Sequence, residues 1–176
     1  IIQFAAVSVV DGKITDTYST YINPEVPIPS FITELTGITD EDVAQAPIFY
    51  EVAEEIFRLL DGHIFVAHNA HFDWNFLQEE FHMNGFPNAR CRLIDTVEMT
   101  RILMPTMESY RLTDIAEYAG LDHDRPHQAD SDAFVTARWF LTLLDKAASL
   151  PYHTLLQLER LANGLKTDLS LVFREL

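Results

Sequence analysis

Two runs rich in apolar and β-branched residues open the chain, IIQFAAVSVV and ITDTYSTYI, on either side of Asp11-Gly12. That arrangement predicts a β-hairpin. After Asn23-Pro24 the regular pattern gives way to PEVPIPSFITELTGITDEDV, a proline-punctuated loop with short helical pieces. Thr39 followed by Asp40, Glu41 and Asp42 reads as a helix start, an N-cap with acidic residues in its first turn. From Phe49 to Leu60 the spacing becomes helical, with Val52, Ala53, Ile56, Phe57 and Leu60 on one face. Asp61-Gly62 stops it.

The next segments alternate between short apolar strands and longer helices. HIFVAH is a continuous apolar run of the kind buried in a parallel sheet, and AHFDWNFLQEEFHMNG follows as a helix ending at Gly85. CRLI predicts a second short strand, feeding the helix DTVEMTRILM, which stops before Pro105. RLTDIAEYAG is a further helix closed by Gly120, and a long helix runs from about Gln128 to Leu150, ended by Pro151. Strands and helices in this order predict an α/β domain over residues 1–150, a mixed sheet flanked by helices on both faces. Residues 151–176 predict two amphipathic helices beyond the compact core, an appendage or a linker toward a further module.

Composition narrows the possibilities. At 176 residues the chain fits one ordinary domain, and 48% hydrophobic with 11% aromatic residues describes a packed globule,. Lys and Arg number 12 against 27 Asp and Glu, for a net charge of -15. That sign disfavours a freestanding basic nucleic-acid binder, because phosphate affinity comes mainly from Lys and Arg. A carboxylate cluster neutralised by metal ions, or a basic groove on a neighbouring module, would lift the objection. The single cysteine, Cys91, excludes an intrachain disulfide and points to a reducing cytosol,. No uncharged run approaches the ~20 residues that cross a bilayer, so a cytoplasmic protein without a membrane partner is expected. No signal peptide is read in the opening residues.

Against this background, PHQADSDA (126–133) stands out. On a helix, Asp132 shares a face with Ala129, Val135, Thr136, Trp139 and Phe140, so it lies on or beside the buried stripe. A carboxylate there costs several kcal/mol unless something pairs with it. Asp130 points elsewhere and serves the first turn as dipole-favoured charge. His127 cannot share a helical face with Asp132, five residues on; if the two meet, His127 sits on the loop before the helix, tethered by Pro126. AHNAHFD (67–73) occupies a strand-to-helix handover, where α/β sheets place ligand-binding residues,. Asp73 there has Phe76, Leu77 and Phe81 at helical spacing, another carboxylate on a core-facing stripe. Two inward carboxylates on separate helices, with no Lys or Arg beside either, ask for a hard divalent cation such as Mg²⁺ or Mn²⁺. Asp95-Thr96 reads as helix capping, and His68 and His71 as non-catalytic.

HNAHFD followed much later by HQADSDA resembles the second and third motifs of the DEDDh exonucleases, the DnaQ-like 3′–5′ exonuclease superfamily. ELTGITDEDV, LIDTVEMTRILMP and SYRLTDIAEYAGL resemble the family's intervening stretches, so the likeness covers roughly the first 145 residues. The tail beginning LPYHTLLQLERL makes the chain look more narrowly like the exonuclease domain of Gram-positive DinG-type helicases. The resemblance implies a ribonuclease-H-like fold and hydrolysis by two divalent ions held by four carboxylates. By motif position it makes Asp73 and Asp132 metal ligands and His127 the general base for an attacking water. It also places Thr36, Gly37, Ile38, Asn69 and Phe72 near the 3′-terminal nucleotide, although Phe72 reads equally as core packing and Gly37 as a turn. The implied partners are a single-stranded DNA 3′ end and a helicase module in the same polypeptide. One motif departs from the family: its Asp-x-Glu, which supplies the other two carboxylates, does not occur on the opening hairpin, and the expectation is that it lies upstream of Ile1. The alternatives are a nuclease-derived binding module without catalysis and an exonuclease directed at RNA.

Overall fold

The computed structural model describes residues 1–176. β1 (Gln3–Val10) and β2 (Lys13–Tyr21) pair antiparallel. Asp11 and Gly12 both take positive φ, 51° and 72°, the backbone that a two-residue hairpin turn requires,. Three short or amphipathic helices follow: α1 (Ser30–Thr36), α2 (Asp40–Val43) and α3 (Phe49–Leu60). The capping box on α2 is present: Thr39 Oγ1 accepts the Asp42 N–H while the Asp42 carboxylate accepts the Thr39 N–H at 2.8 Å,.

β3 (Ile64–Ala67) then crosses over through α4 (Ala70–Met83) to β4 (Arg92–Asp95), and the two strands pair parallel. α5 (Thr96–Leu103), α6 (Leu112–Ala119) and the long α7 (Ala129–Ala148) complete the predicted order. Two tail helices, α8 (Tyr152–Ala162) and α9 (Ser170–Glu175), finish the chain.

Helices cover both faces of β3, as the alternating side chains of a strand demand. Phe65 packs against a core built from the hairpin, α3 and α4 (Phe4, Val52, Ile56, Leu77, Phe81), whereas Val66 joins a core of α5, α6 and α7 around Trp139 and Leu143. Antiparallel and parallel pairing are both present, but in two separate two-stranded sheets rather than one continuous sheet. β1 and β3 each bond to one neighbour only, and α7 packs against both. That explains why the β3 segment, expected to be fully buried, is only half-buried and leaves Ile64 exposed.

The tail corrects an expectation. α8 and α9 do not sit beyond the core: Leu155, Ala162, Leu169 and Phe173 are buried with Trp139 and Leu143 in a single cluster. The segment is also stitched to β4, where Asp168 N–H donates to Leu93 O at 2.7 Å and Leu93 N–H donates to the Asp168 carboxylate at 2.8 Å. The helical spacing was legible, but which surface the apolar face would meet was not. No helix is long and apolar enough to cross a membrane.

Candidate active site

The handover from β3 to α4 is the structural centre of the site. Asn69 takes a left-handed backbone, φ 75°, an uncommon conformation for a residue with a side chain,. Asp95, at the end of the neighbouring β4, holds it there. Its carboxylate accepts the Asn69 N–H at 3.2 Å, the Ala70 N–H at 3.0 Å and the Val97 N–H at 2.8 Å, so one buried side chain caps both α4 and α5. The capping role assigned from sequence is therefore present, and extends to a second helix. His68 bridges the same region between Thr96 Oγ1, at 2.9 Å, and the Tyr110 carbonyl, at 2.8 Å. Its Nε2–H donates to that carbonyl, which leaves Nδ1 to accept from the Thr96 hydroxyl. Burial pulls its pKa down, against the opposing pull of the Tyr110 carbonyl and of Asp95 and Asp132, so the ring is a neutral strut.

One turn into α4 stands Asp73. Desolvation by the surrounding protein, then the charges of Asp132 and Asp95, push its carboxyl up to about 6. The residue nevertheless keeps an open face to solvent. No cation in the protein relieves it. Leu77 and Phe81 on the same helix are buried as the spacing predicts, but Phe76 is 53% exposed and lies tilted against Phe72, itself 59% exposed, with ring centroids 5.0 Å apart. Phe72 is thus a surface aromatic, not core.

Across the site, α7 brings Asp132 in beside the buried Val135, Thr136 and Trp139. Here the sequence missed a partner. His123 Nε2 lies 2.6 Å from Asp132 Oδ1, and the His127 backbone N–H donates to the same oxygen at 3.2 Å. His127 stands on the loop before α7 as expected, in a left-handed backbone with φ 67°, its ring exposed and without a hydrogen bond. Asp130 turns away to Arg125, at 2.7 Å. Burial would raise its carboxyl, and the hydrogen bond from Arg125, the backbone N–H of Ser131 and the Arg125 charge together outweigh that and lower it. His127, Asp132 and His123 line an open cavity of about 440 Å³ with Arg111, Leu112 and Thr113. Only the HDRPH spelling at 123–127 hinted at the second histidine, and it carries no periodicity to interpret.

The remaining candidates divide. The α1–α2 turn reaches the head of α7, where Gln128 Nε2 donates to the Thr36 carbonyl at 3.5 Å and Gly37 faces the same amide. Gly37 also needs its glycine, closing α1 at φ 74°,. Ile38, in contrast, is 2% exposed and packs with Ile28 and Val43. Its side chain points inward because the preceding turn bonds to itself: Ile38 N–H donates to Thr36 Oγ1 at 3.1 Å.

A divalent cation fits the donor chemistry of Asp73 and Asp132, because the Asp132 and Asp95 charges crowd Asp73 with no cation beside it, while Asp132 shares its cavity with Arg111 and His123,. The donors fall short in number, since no group of three or more His, Cys, Asp and Glu side chains is arranged to hold a metal.

The RNase_T model of an exonuclease family matches residues 1–140. The 3′-5′ exonuclease DinG of Bacillus subtilis is 51% identical over 170 residues, covering 97% of this chain but 18% of that protein's own length. Exonuclease X, solved in complex with 5′ overhanging duplex DNA, superposes with a TM-score of 0.67 at 25% identity, over 85% of this chain and 86% of that one. The nuclease domain of 3'hExo, a DEDDh family member bound to rAMP, gives a TM-score of 0.70 at 22% identity, over 85% and 83% of the two chains. Its likeness lies in the fold, a ribonuclease-H-like α/β arrangement.

Proposed function

The chain belongs to the exonuclease family, and we propose that it is a 3′–5′ exonuclease domain removing mononucleotides from single-stranded DNA by metal-assisted hydrolysis. The observation that carries the reading is the crowding of Asp73 by the charges of Asp132 and Asp95, with Asp132 in the wall of a cavity that it shares with His127. Asp73 and Asp132 would hold part of a divalent-ion site, for Mg²⁺ or Mn²⁺. A bound ion of this kind supplies Lewis acidity at a phosphoryl oxygen and acidifies water, and a pair of ions stabilises both attacking and leaving oxygens. His127, whose ring is exposed and makes no protein hydrogen bond, takes the proton from the attacking water,.

Substrate contacts follow the same layout. Phe72 offers an exposed ring for stacking a terminal base, a contact indifferent to sequence,. Asn69 presents its side chain from the left-handed turn, and Thr36 and Gly37 approach from the α1–α2 side. A net charge of -15 leaves the domain poorly equipped to attract DNA alone,. We therefore place it in one polypeptide with a helicase module that supplies the basic track, in keeping with the small share of its DinG relative that this chain spans.

The test uses the full-length natural protein, 5′-labelled single-stranded DNA and Mg²⁺ or Mn²⁺. Stepwise shortening from the 3′ end, abolished by Asp132→Asn, is the expected result. Retention of the strand without cleavage would replace the enzyme with a binding module, and faster cleavage of the matching RNA would change the substrate class.

A further inference from the structure

We propose that His123 is a positioning residue for Asp132, fixing one carboxylate oxygen so that the other is presented to the metal side of the site. The inference rests on the reading of Asp132 as a metal ligand. Asp132 Oδ1 receives two donors, His123 Nε2 at 2.6 Å and the His127 N–H at 3.2 Å, while Oδ2 receives none. A carboxylate held twice at one oxygen has little freedom to rotate about its last bond, so Oδ2 is left as the ligand atom with a defined direction. The same oxygen holds His127 in its left-handed backbone, so ligand and proposed base are fixed by a single acceptor.

Packing alone does not explain a histidine at this position. The His123 side chain is 6% exposed, and its Nδ1 is buried with no partner. An unpaired buried polar atom is destabilising, and a leucine would fill comparable space without one. What the imidazole provides that leucine lacks is the Nε2–H aimed at Asp132. Outer partners that orient ligating carboxylates and histidines are worth roughly 10–100-fold in metal affinity when removed.

The experiment measures Mn²⁺ binding calorimetrically in the full-length natural protein without DNA, alongside thermal unfolding without metal. His123→Ala is expected to weaken Mn²⁺ binding roughly 10–100-fold. His123→Gln, whose side-chain amide reaches about as far as Nε2, should recover most of it. In cleavage assays the Mg²⁺ concentration needed for half-maximal rate should rise by a similar factor. Unchanged Mn²⁺ affinity in His123→Ala overturns the proposal. So does a Gln variant no better than Ala, with both unfolding at equally lowered temperature, since that pattern marks a packing role. Asp132→Asn separates the two readings. If it binds Mn²⁺ like the parent, Asp132 is no ligand and both fall; if it loses binding while His123→Ala does not, only His123's role falls.

Discussion

Asp95 and Asp73 flank the same handover, one at the end of β4 and one in the first turn of α4, and they live in opposite circumstances. Asp95 is 6% exposed yet takes three backbone N–H donors. Asp73 has open solvent on one side yet receives no cation, and its neighbours push its carboxyl up to about 6. Burial is thus a poor guide to which carboxylate is available for chemistry. The deeper one is spent on holding two helices and a strained turn. The shallower one is destabilised as an anion in this state, the condition a cation would reverse. Asp132 falls between them, half satisfied by His123 and His127 at one oxygen and free at the other.

Asp95→Ala should break the contrast most severely. It strands three N–H donors at the origin of α4 and α5, and a loss of about 3–5 kcal/mol in urea unfolding is expected. A loss below about 1 kcal/mol would mean that water replaces the carboxylate easily. His127→Ala attacks the other side of the comparison. Cleavage should slow about 10²–10⁴-fold with DNA binding nearly unchanged; equal losses in both would reject the general-base role.

Asp73→Asn tests the crowding itself. The folded value of about 6 lies above the ordinary 3.8, so between those values the folded chain keeps a proton that the unfolded chain has released. The carboxyl therefore costs the fold nothing below 3.8, and its full penalty applies once the pH has risen through about 6,. In the metal-free protein the variant should be more stable by about 1 kcal/mol at pH 8, a figure already reduced for the open solvent face. At pH 3.5 the gain should vanish. Equal stabilities at both pH values would show that Asp73 is not crowded. Arg125→Ala is the mildest change: it leaves Asp130 without its surface cation, and a shift under about 1 kcal/mol in thermal unfolding is expected. A larger one would make the 125–130 turn part of the support for His127.

The hairpin, the helix boundaries and the αβα handover were legible because local chemistry sets them: Asp11-Gly12, the Thr39–Asp42 box, Gly37, Gly120 and Pro151 act within a few residues. Asp73 and Asp132 were legible as carboxylates on apolar stripes, and His127 as a loop residue. The burial of Ile38 was not legible, because a turn residue and a core residue have the same spelling when the turn folds back on itself.

By itself, the sequence determined the order of elements, the α/β class and the motif residues, since periodicity, caps and turns report only on neighbours along the chain. Tertiary structure decided what those residues meet. It buried α8 and α9 against Trp139, set Asp95 under two helices and brought His123 to Asp132. Those contacts depend on which distant surfaces pack together, and no local pattern along a chain encodes a partner that lies across the fold.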